Sequence, residues 1–326
     1  MSGRIEADQN LRDADAELQR ATRGVLTALA TDALTIGEGG QLPISTHYRE
    51  QFRVGTGTVQ RALEVLINAG ALQITSRGHL GRQIRRLDVA RLWHLGALGP
   101  VRLLLPPRGP IEVRAFAEVF SDEFQRIDVP AQFRHVPGGP ERERMLLSGE
   151  ADIAVVSSGV DLESHPSMTT IRLPDHTYYA EGRVYVLRSP DPARGNRIAI
   201  DYSSTDQTRL TRAEFPDGLG YEYVEVDFPR IPLAILQGKV DVGLWHDVQT
   251  LIPPHVAGLE VGELQRPESI AILKTSSAAN VVTSPLRSEL ASVMPLLELE
   301  GIMQRQQELL ALPEDDPKLL DFGWVV

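Results

Sequence analysis

The chain has 326 residues, 42% hydrophobic and 24% charged, with a formal net charge of −11 and no cysteine. That length suffices for two or three domains with full cores, in an ordinary globular composition. The missing cysteine excludes disulfide frameworks, zinc ribbons and thiol nucleophiles.

The first twenty residues are polar and acidic, with no apolar signal-peptide core, so a cytoplasmic location is expected. No run approaches the ~18 consecutive apolar residues of a membrane span, so no membrane partner is expected. Residues 11–34 form one amphipathic pattern, with Leu18, Val25, Leu26, Leu29 and Ala33 on a shared face. A loop follows over 37–41. Residues 42–84 then give two short helical patterns about a tight turn. Tyr48 and Phe52 are four apart on the first helix, and Val59, Leu63 and Leu66 recur at i, i+4 and i+7 on the second. Arg53-Val54-Gly55 is the turn, and Gly70 sits where a left-handed cap belongs. Leu72-Gln73-Ile74 reads as a strand, 77–81 as a turn and 82–84 as the return strand. This is a helix-turn-helix with a β wing, whose second helix can enter a major groove.

The stretch resembles the GntR-type winged helix. Leu42-Pro43, Gln51-Phe52, Val54, Gly57-Thr58-Val59 and Ala62-Leu63 match in register. The family usually places arginines, which grip phosphates and guanine edges, where this chain has Thr46, Thr56 and Gln60. The resemblance therefore implies double-stranded DNA as partner without carrying over the usual operator sequence. Between 43 and 91 there are eight arginines and three acids, a local charge of +5 on an acidic chain. Phosphate neutralisation acts within a Debye length of about 8–10 Å, so the local charge is the relevant one. Thr56, Gly57, Thr58, Gln60 and Arg61 are expected at the groove. Arg49 and Arg53 are expected on phosphates, and Arg77, His79 and Arg82 on the wing. Helix capping for Thr56 and plain solvation for the arginines are the alternatives.

Residues 88–98 continue as a short helix or linker anchored by Trp93, and Gly99-Pro100 breaks the chain. Strands are then expected at 101–105, 131–135, 152–156, 183–187, 197–200, 223–226 and 241–245. Helices are expected at 112–124, 141–147, 205–214 and 231–236, with a crossover near 173–179 and a closing helix or helix pair at 288–312. This alternation predicts α/β structure with largely parallel sheets. Gly149-Glu-Ala-Asp152-Ile-Ala-Val is echoed by Gly238-Lys-Val-Asp241-Val-Gly-Leu, once per lobe of a two-lobed protein. The periplasmic-binding-protein type II fold has such lobes.

Over nearly its whole length the chain resembles the YhfZ family of GntR-like regulators. The resemblance rests on 151–157 (ADIAVVS), 174–178 (PDHTY), 198–207 (IAIDYSSTDQ) and 237–245 (QGKVDVGLW). It implies a mixed architecture: a winged helix over 1–90, a linker over 91–99 and a two-lobed α/β domain over 100–326. Lobe I would comprise about 100–176 and 268–326, and lobe II about 177–267.

Ligands of open α/β sheets sit beyond the carboxyl ends of strands, where helix N-termini face anions. Pro107 and Arg108, Ser157 and Ser158, and Asp201 with Ser203, Ser204 and Thr205 lie in such loops. The last set is the best candidate: its hydroxyls suit carboxylate or phosphate, and Asp201 or Asp206 suits an amine. These residues could equally serve only as N-caps and turn formers. Thr177 and Tyr178 fall at the crossover, as cleft wall or hinge packing, and Trp245 ends a strand as ligand wall or core. There is no H-E-x-x-H, G-x-S-x-G, P-loop or G-x-G-x-x-G, and the histidines are scattered. No metal, cofactor or catalysis is expected. The expectation is a homodimeric regulator that binds an operator under the control of a small, anionic effector. A solute-binding protein, or a GntR-like regulator with a phosphosugar-type domain, are the alternatives.

Overall fold

The computed structural model describes residues 2–76, 81–161, 169–191, 193, 195–248, 250, 252–313, 316 and 319, with side chains from Gln19 onward. The chain divides into two compact units, one of 1–100 with 123–130 and 287–297, the other of 101–122, 131–286 and 298–326.

The first unit opens with helix α1 (Ser2–Ile36), then β1 (Gln41–Leu42), α2 (Ser45–Phe52), α3 (Thr56–Asn68), β2 (Leu72–Ser76), β3 (Arg82–Leu87) and α4 (Val89–Gly96). Its sheet has the antiparallel order β1-β3-β2. Val25, Leu29 and Ala33 of α1 are buried, as are Tyr48 of α2 and Val59, Leu63 and Leu66 of α3. The apolar periodicity of the sequence therefore marks the core of a helix-turn-helix. Tyr48 donates to Asp32 at 2.7 Å, giving its buried hydroxyl a partner. Arg53 takes the left-handed conformation at φ 52° that ends α2. Its backbone makes the turn whatever its side chain does.

The segment 91–99, expected as a linker, lies mostly in α4. Leu92 and Trp93 are buried, and Thr27 donates to the Gly96 carbonyl at 2.7 Å. A Cβ at Gly96 would come within 2.7 Å of the Ala30 methyl, so α4 approaches α1 too closely for any other residue there. Segment 287–297 also belongs to this unit rather than to an uninterrupted 100–326 domain. Ser292 donates to the Leu34 carbonyl, Thr35 and Ser288 share a hydrogen bond of 2.9 Å, and the Arg287 guanidinium lies 5.7 Å from the Trp93 ring centre.

The second unit has two lobes. The first is built from β4 (Val101–Leu105), α5 (Ile111–Arg126), β5 (Ala131–His135), α6 (Gly139–Leu147), β6 (Ile153–Ser157) and β7 (Thr169–Arg172). The second follows with β8 (Val184–Arg188), β9 (Arg197–Ile200), α7 (Thr205–Glu214), β10 (Glu222–Glu225), α8 (Ile231–Leu236), β11 (Val242–His246), β12 (Glu260–Gly262) and α9 (Pro267–Thr275). The chain then returns to lobe I as β13 (Ala279–Thr283), before α10 (Leu290–Val293) and α11 (Gly301–Leu310).

The sheets run β5-β4-β6-β13-β7 and β10-β9-β11-β8-β12. In each, the first three strands are parallel and the last two antiparallel, so "largely parallel" holds for only part of each sheet. Strands β7, β12 and β13 and helix α9 have no counterpart among the elements expected from the sequence. Helix α9 belongs with lobe II: Glu214 accepts from Gln265 N–H, Arg266 N–H and Ser269 Oγ. The return to lobe I therefore falls after α9, not at 268.

The echoed glycine–aspartate motif is the frame of both lobes. Gly149 and Gly238 hold φ of 74° and 72° just after their helices, a conformation glycine adopts without strain. Asp152 accepts from Arg102 backbone N–H at 2.8 Å, Nε at 3.1 Å and Nη2 at 2.5 Å. Asp241 accepts from Arg197 N–H, Nε and Nη2 at 3.0, 3.3 and 2.7 Å. The carbonyl of each aspartate takes an N–H from the residue after the antiparallel neighbour, Ser284 and Ser189 respectively, at 2.8 Å.

Candidate functional site

Two surfaces follow from this frame. On the winged helix, Arg49, Arg53, Thr56, Gly57, Gln60 and Arg61 are exposed and Thr58 and Arg82 half-buried. A Cβ at Gly57 would meet nothing within 4 Å, so that end of α3 is open to close approach. Arg82 donates to Ser45 Oγ and to Gln60 Oε1, both at 3.1 Å, and Gln60 Nε2 donates to Glu64 at 3.1 Å. Strand β3 thus fixes the orientation of a side chain on α3. Arg77 and His79 lie outside the described residues.

The other surface is a cavity of about 570 Å³ in the second unit, at the carboxyl ends of the strands of both lobes, where open α/β sheets hold ligands. Pro106, Pro107, Arg108 and Pro110 line it after β4, with His135 and 137–139 at the end of β5. Ser203, Ser204 and Thr205 follow β9, Phe228 follows β10, and His246 ends β11. Tyr178 and Asp201 line it as well. Asp201 is a loop organiser: it accepts from Ser203 N–H (2.9 Å), Ser203 Oγ (2.6 Å) and Phe228 N–H (2.9 Å). Ser204 caps α7, accepting from Gln207 N–H at 3.3 Å.

Four residues expected at the ligand lie elsewhere. Ser157 is fully buried, and its hydroxyl donates to Asp206. Ser158 donates to the Thr275 carbonyl at 2.6 Å. Thr177 is fully buried, donating to the Pro174 carbonyl and accepting from Ala279 N–H. Trp245 is lobe II core, stacked on Phe228 at 4.8 Å. Ser158 and Thr177 complete backbone contacts, Trp245 a core and Ser157 a bond to a carboxylate of the other lobe, and none of the four lines the cavity.

Three buried charged groups stand here, of which the sequence had pointed only to Asp206: Asp206 and Arg142 line the cavity, and Glu112 bonds to His246 in its wall. Each lobe sends the first turn of a helix to the strand end of the other. Asp206 of α7 takes the hydroxyl of Ser157, the last residue of β6. Glu112 of α5 accepts from Nε2 of His246, the last residue of β11, at 2.9 Å, and from Ala180 N–H at 2.9 Å. Burial pushes the Glu112 carboxyl up, but the His246 ring and the N–H donors outweigh it and hold it below its ordinary value. Burial dominates at Asp206 and raises it, against Ser157, Arg209 and Arg142. Burial likewise lowers the His135 imidazole, with the Pro106 carbonyl opposing it and Arg108 adding to the effect.

The third group is Arg142, only 1% exposed on α6 and lining the cavity. It donates from Nε to the Val155 carbonyl (2.9 Å), from Nη1 to the Val136 carbonyl (2.6 Å) and from Nη2 to the Tyr178 hydroxyl (3.0 Å). Its flanks, Glu141, Glu143 and Arg144, read as a solvated face. The one sequence signal is register: seven residues before Gly149 stands Arg142, and seven before Gly238 stands the buried Ile231. Among the described residues no cluster of three or more His, Asp or Glu could hold a metal.

A helix-turn-helix domain family matches residues 37–84, and the YhfZ C-terminal domain family matches 88–317. YhfZ of Escherichia coli strain K12, an uncharacterised protein, is 28% identical over 228 residues, 69% of this chain and 74% of that one. The crystal structure of YhfZ from Shigella flexneri is 22% identical, with a TM-score of 0.49 over 65% of this chain and 90% of its own. A cysteine-to-serine mutant of OxyR from Corynebacterium glutamicum, bound to hydrogen peroxide, is 13% identical, with a TM-score of 0.43 over 90% and 94% of the two chains. With the YhfZ C-terminal domain family spanning 88–317 behind a helix-turn-helix domain, the chain belongs to the YhfZ family and has the make-up of a transcription regulator.

Proposed function

We propose that this chain is a cytoplasmic, GntR-like regulator that binds a two-half-site DNA operator as a homodimer. The second unit takes a small metabolite bearing an anionic group into its cleft, and that ligand sets operator affinity. The observation that carries this reading is the pairing, in one chain, of an open recognition-helix face with a walled cavity at the carboxyl ends of two lobes. At about 570 Å³ the cavity falls in the range of small-molecule sites. The work assigned to it is binding rather than turnover. Arg49, Arg53 and Arg61 contact phosphate, and Thr56, Gly57 and Gln60 meet base edges. Pro107, Arg108, Tyr178 and Ser203–Thr205 surround the ligand. Selection of a random DNA pool on the full chain should converge on an inverted repeat bound by two chains, and a pool that never enriches sinks the DNA arm. A cleft ligand should shift operator affinity by about 5–150-fold. Operator affinity indifferent to every ligand that binds the cleft would refute the coupling arm.

A further inference from the structure

We infer that the cleft ligand is a small monocarboxylate with an apolar body, held through its carboxylate by Arg142. This rests on the reading of the cleft as an effector site and names the ligand class.

The guanidinium is buried and lines the cavity, yet none of its three hydrogen-bond partners carries a charge. A buried cation without a counter-charge is costly to maintain. Asp206 is near enough for Arg142 to act on its carboxyl, but it does not pair with it. One Asp206 oxygen takes the Ser157 hydroxyl. The other lies beside Gly159, where an added Cβ would come within 2.6 Å of it and 2.2 Å of Ser276 Oγ. Burial also favours the neutral form of Asp206. Three of the five guanidinium N–H groups are used, which leaves two for a ligand. A planar fork matches a carboxylate better than a point charge would.

Lobe II shows what the position holds without this role. Ile231 fills the equivalent seat, 2% exposed and packed over Gly243, where a Cβ would meet Ile231 at 2.6 Å. An apolar residue is therefore the ordinary occupant, and the arginine is particular to lobe I. The remaining wall limits the ligand's charge and sets its body. Besides Arg142 the wall carries one further cation, Arg108, against Asp201 and Asp227, which oppose a second negative charge, while Phe116, Phe228 and the prolines offer apolar surface.

The test is calorimetric titration of the full chain with isovalerate, benzoate and phenylacetate, each against its neutral amide. Counter-probes are leucine, phenylalanine, hexose phosphates and inorganic phosphate. The acids should bind at least about 10-fold more tightly than their amides. Arg142→Met should abolish that preference, and Arg142→Lys should restore part of it. Equal binding of acid and amide, or a preference that survives Arg142→Met, overturns the inference. If Arg142→Met does not fold, the acid–amide comparison on the unaltered chain decides alone. Tightest binding by a hexose phosphate, phosphate or an amino acid overturns the ligand class and leaves the effector reading standing. Failure of every probe to bind, in protein that still retards its DNA, overturns both.

Discussion

At the amino ends of their strands the two lobes repeat each other, Arg102 on Asp152 in one and Arg197 on Asp241 in the other, with matching backbone bonds around each aspartate. At the carboxyl ends they diverge: Ser157 stands opposite His246 in register, Pro106 opposite Asp201, and Arg142 opposite Ile231. The repeated end is occupied with closing a sheet, and the same solution serves twice. The divergent end faces a cavity, where a ligand without two-fold symmetry has no use for identical walls. Divergence within one molecule thus separates frame from site without any alignment of relatives.

Moving the buried charge from one lobe to the other should have the largest effect. Ile231→Arg would bury a guanidinium in an apolar cluster against Gly243, and should destabilise the chain by about 4 kcal/mol. A urea midpoint close to that of the unaltered chain would show that the lobe II seat accommodates a guanidinium as the lobe I seat does. Next comes the shared frame. Asp152→Ala removes a fully buried acceptor of one backbone and two guanidinium donors. Because the Arg102 side chain is 39% exposed, solvent recovers part of the loss, and about 2–3 kcal/mol is expected. Asp241→Ala should move the midpoint in the same direction. If only one of the two does so, the repeat is one of sequence and not of energetics.

A subtler contrast lies between the buried acids at the starts of α5 and α7, whose linkages have opposite sign. Glu112 is held below its ordinary value, so its contribution is present above that value and lost as pH falls through the folded one. Asp206 is held above its ordinary 3.8, so its contribution is complete below that value and lost as pH rises through the folded one. Melting curves across pH should therefore lose their acid-side decline in Glu112→Gln. Asp206→Asn should lose instead a decline with rising pH. The same sign for both would refute the assignment of burial as dominant at Asp206. The smallest effect is expected outside the repeat. Gln60→Ala should weaken operator binding about fivefold, near 1 kcal/mol, with the melting temperature unchanged.

Much of the fold was legible because its cores are periodic. The i, i+4, i+7 spacing of Val59, Leu63 and Leu66 allows only one buried face, and β4, β5, β9, α7 and α8 lie where alternation put them. What escaped was short or delivered from far along the chain. Strand β12 has three residues, and β13 pairs with strands more than a hundred positions earlier, a partnership that no local pattern records. The candidate ligand loops after β4 and β9 were legible by the rule that puts ligands at strand ends. Ser157, Ser158 and Trp245 followed that rule too, and Thr177 was placed by the crossover, but their side chains turn to other partners, and side-chain direction there is set by neighbours distant in sequence.

The helix-turn-helix, the alternation of strand and helix, and the doubled glycine–aspartate motif can all be read without coordinates, because each is a matter of spacing within a few residues. Packing had to settle that Arg142 is buried among neutral hydrogen-bond partners, that Glu112 and Asp206 reach across to the opposite lobe, and that Trp245 belongs to a core. Burial and charge pairing depend on which distant elements close over a residue. A charged helix face and a buried arginine at a cavity wall are written with the same letters until the strands on either side of it have paired.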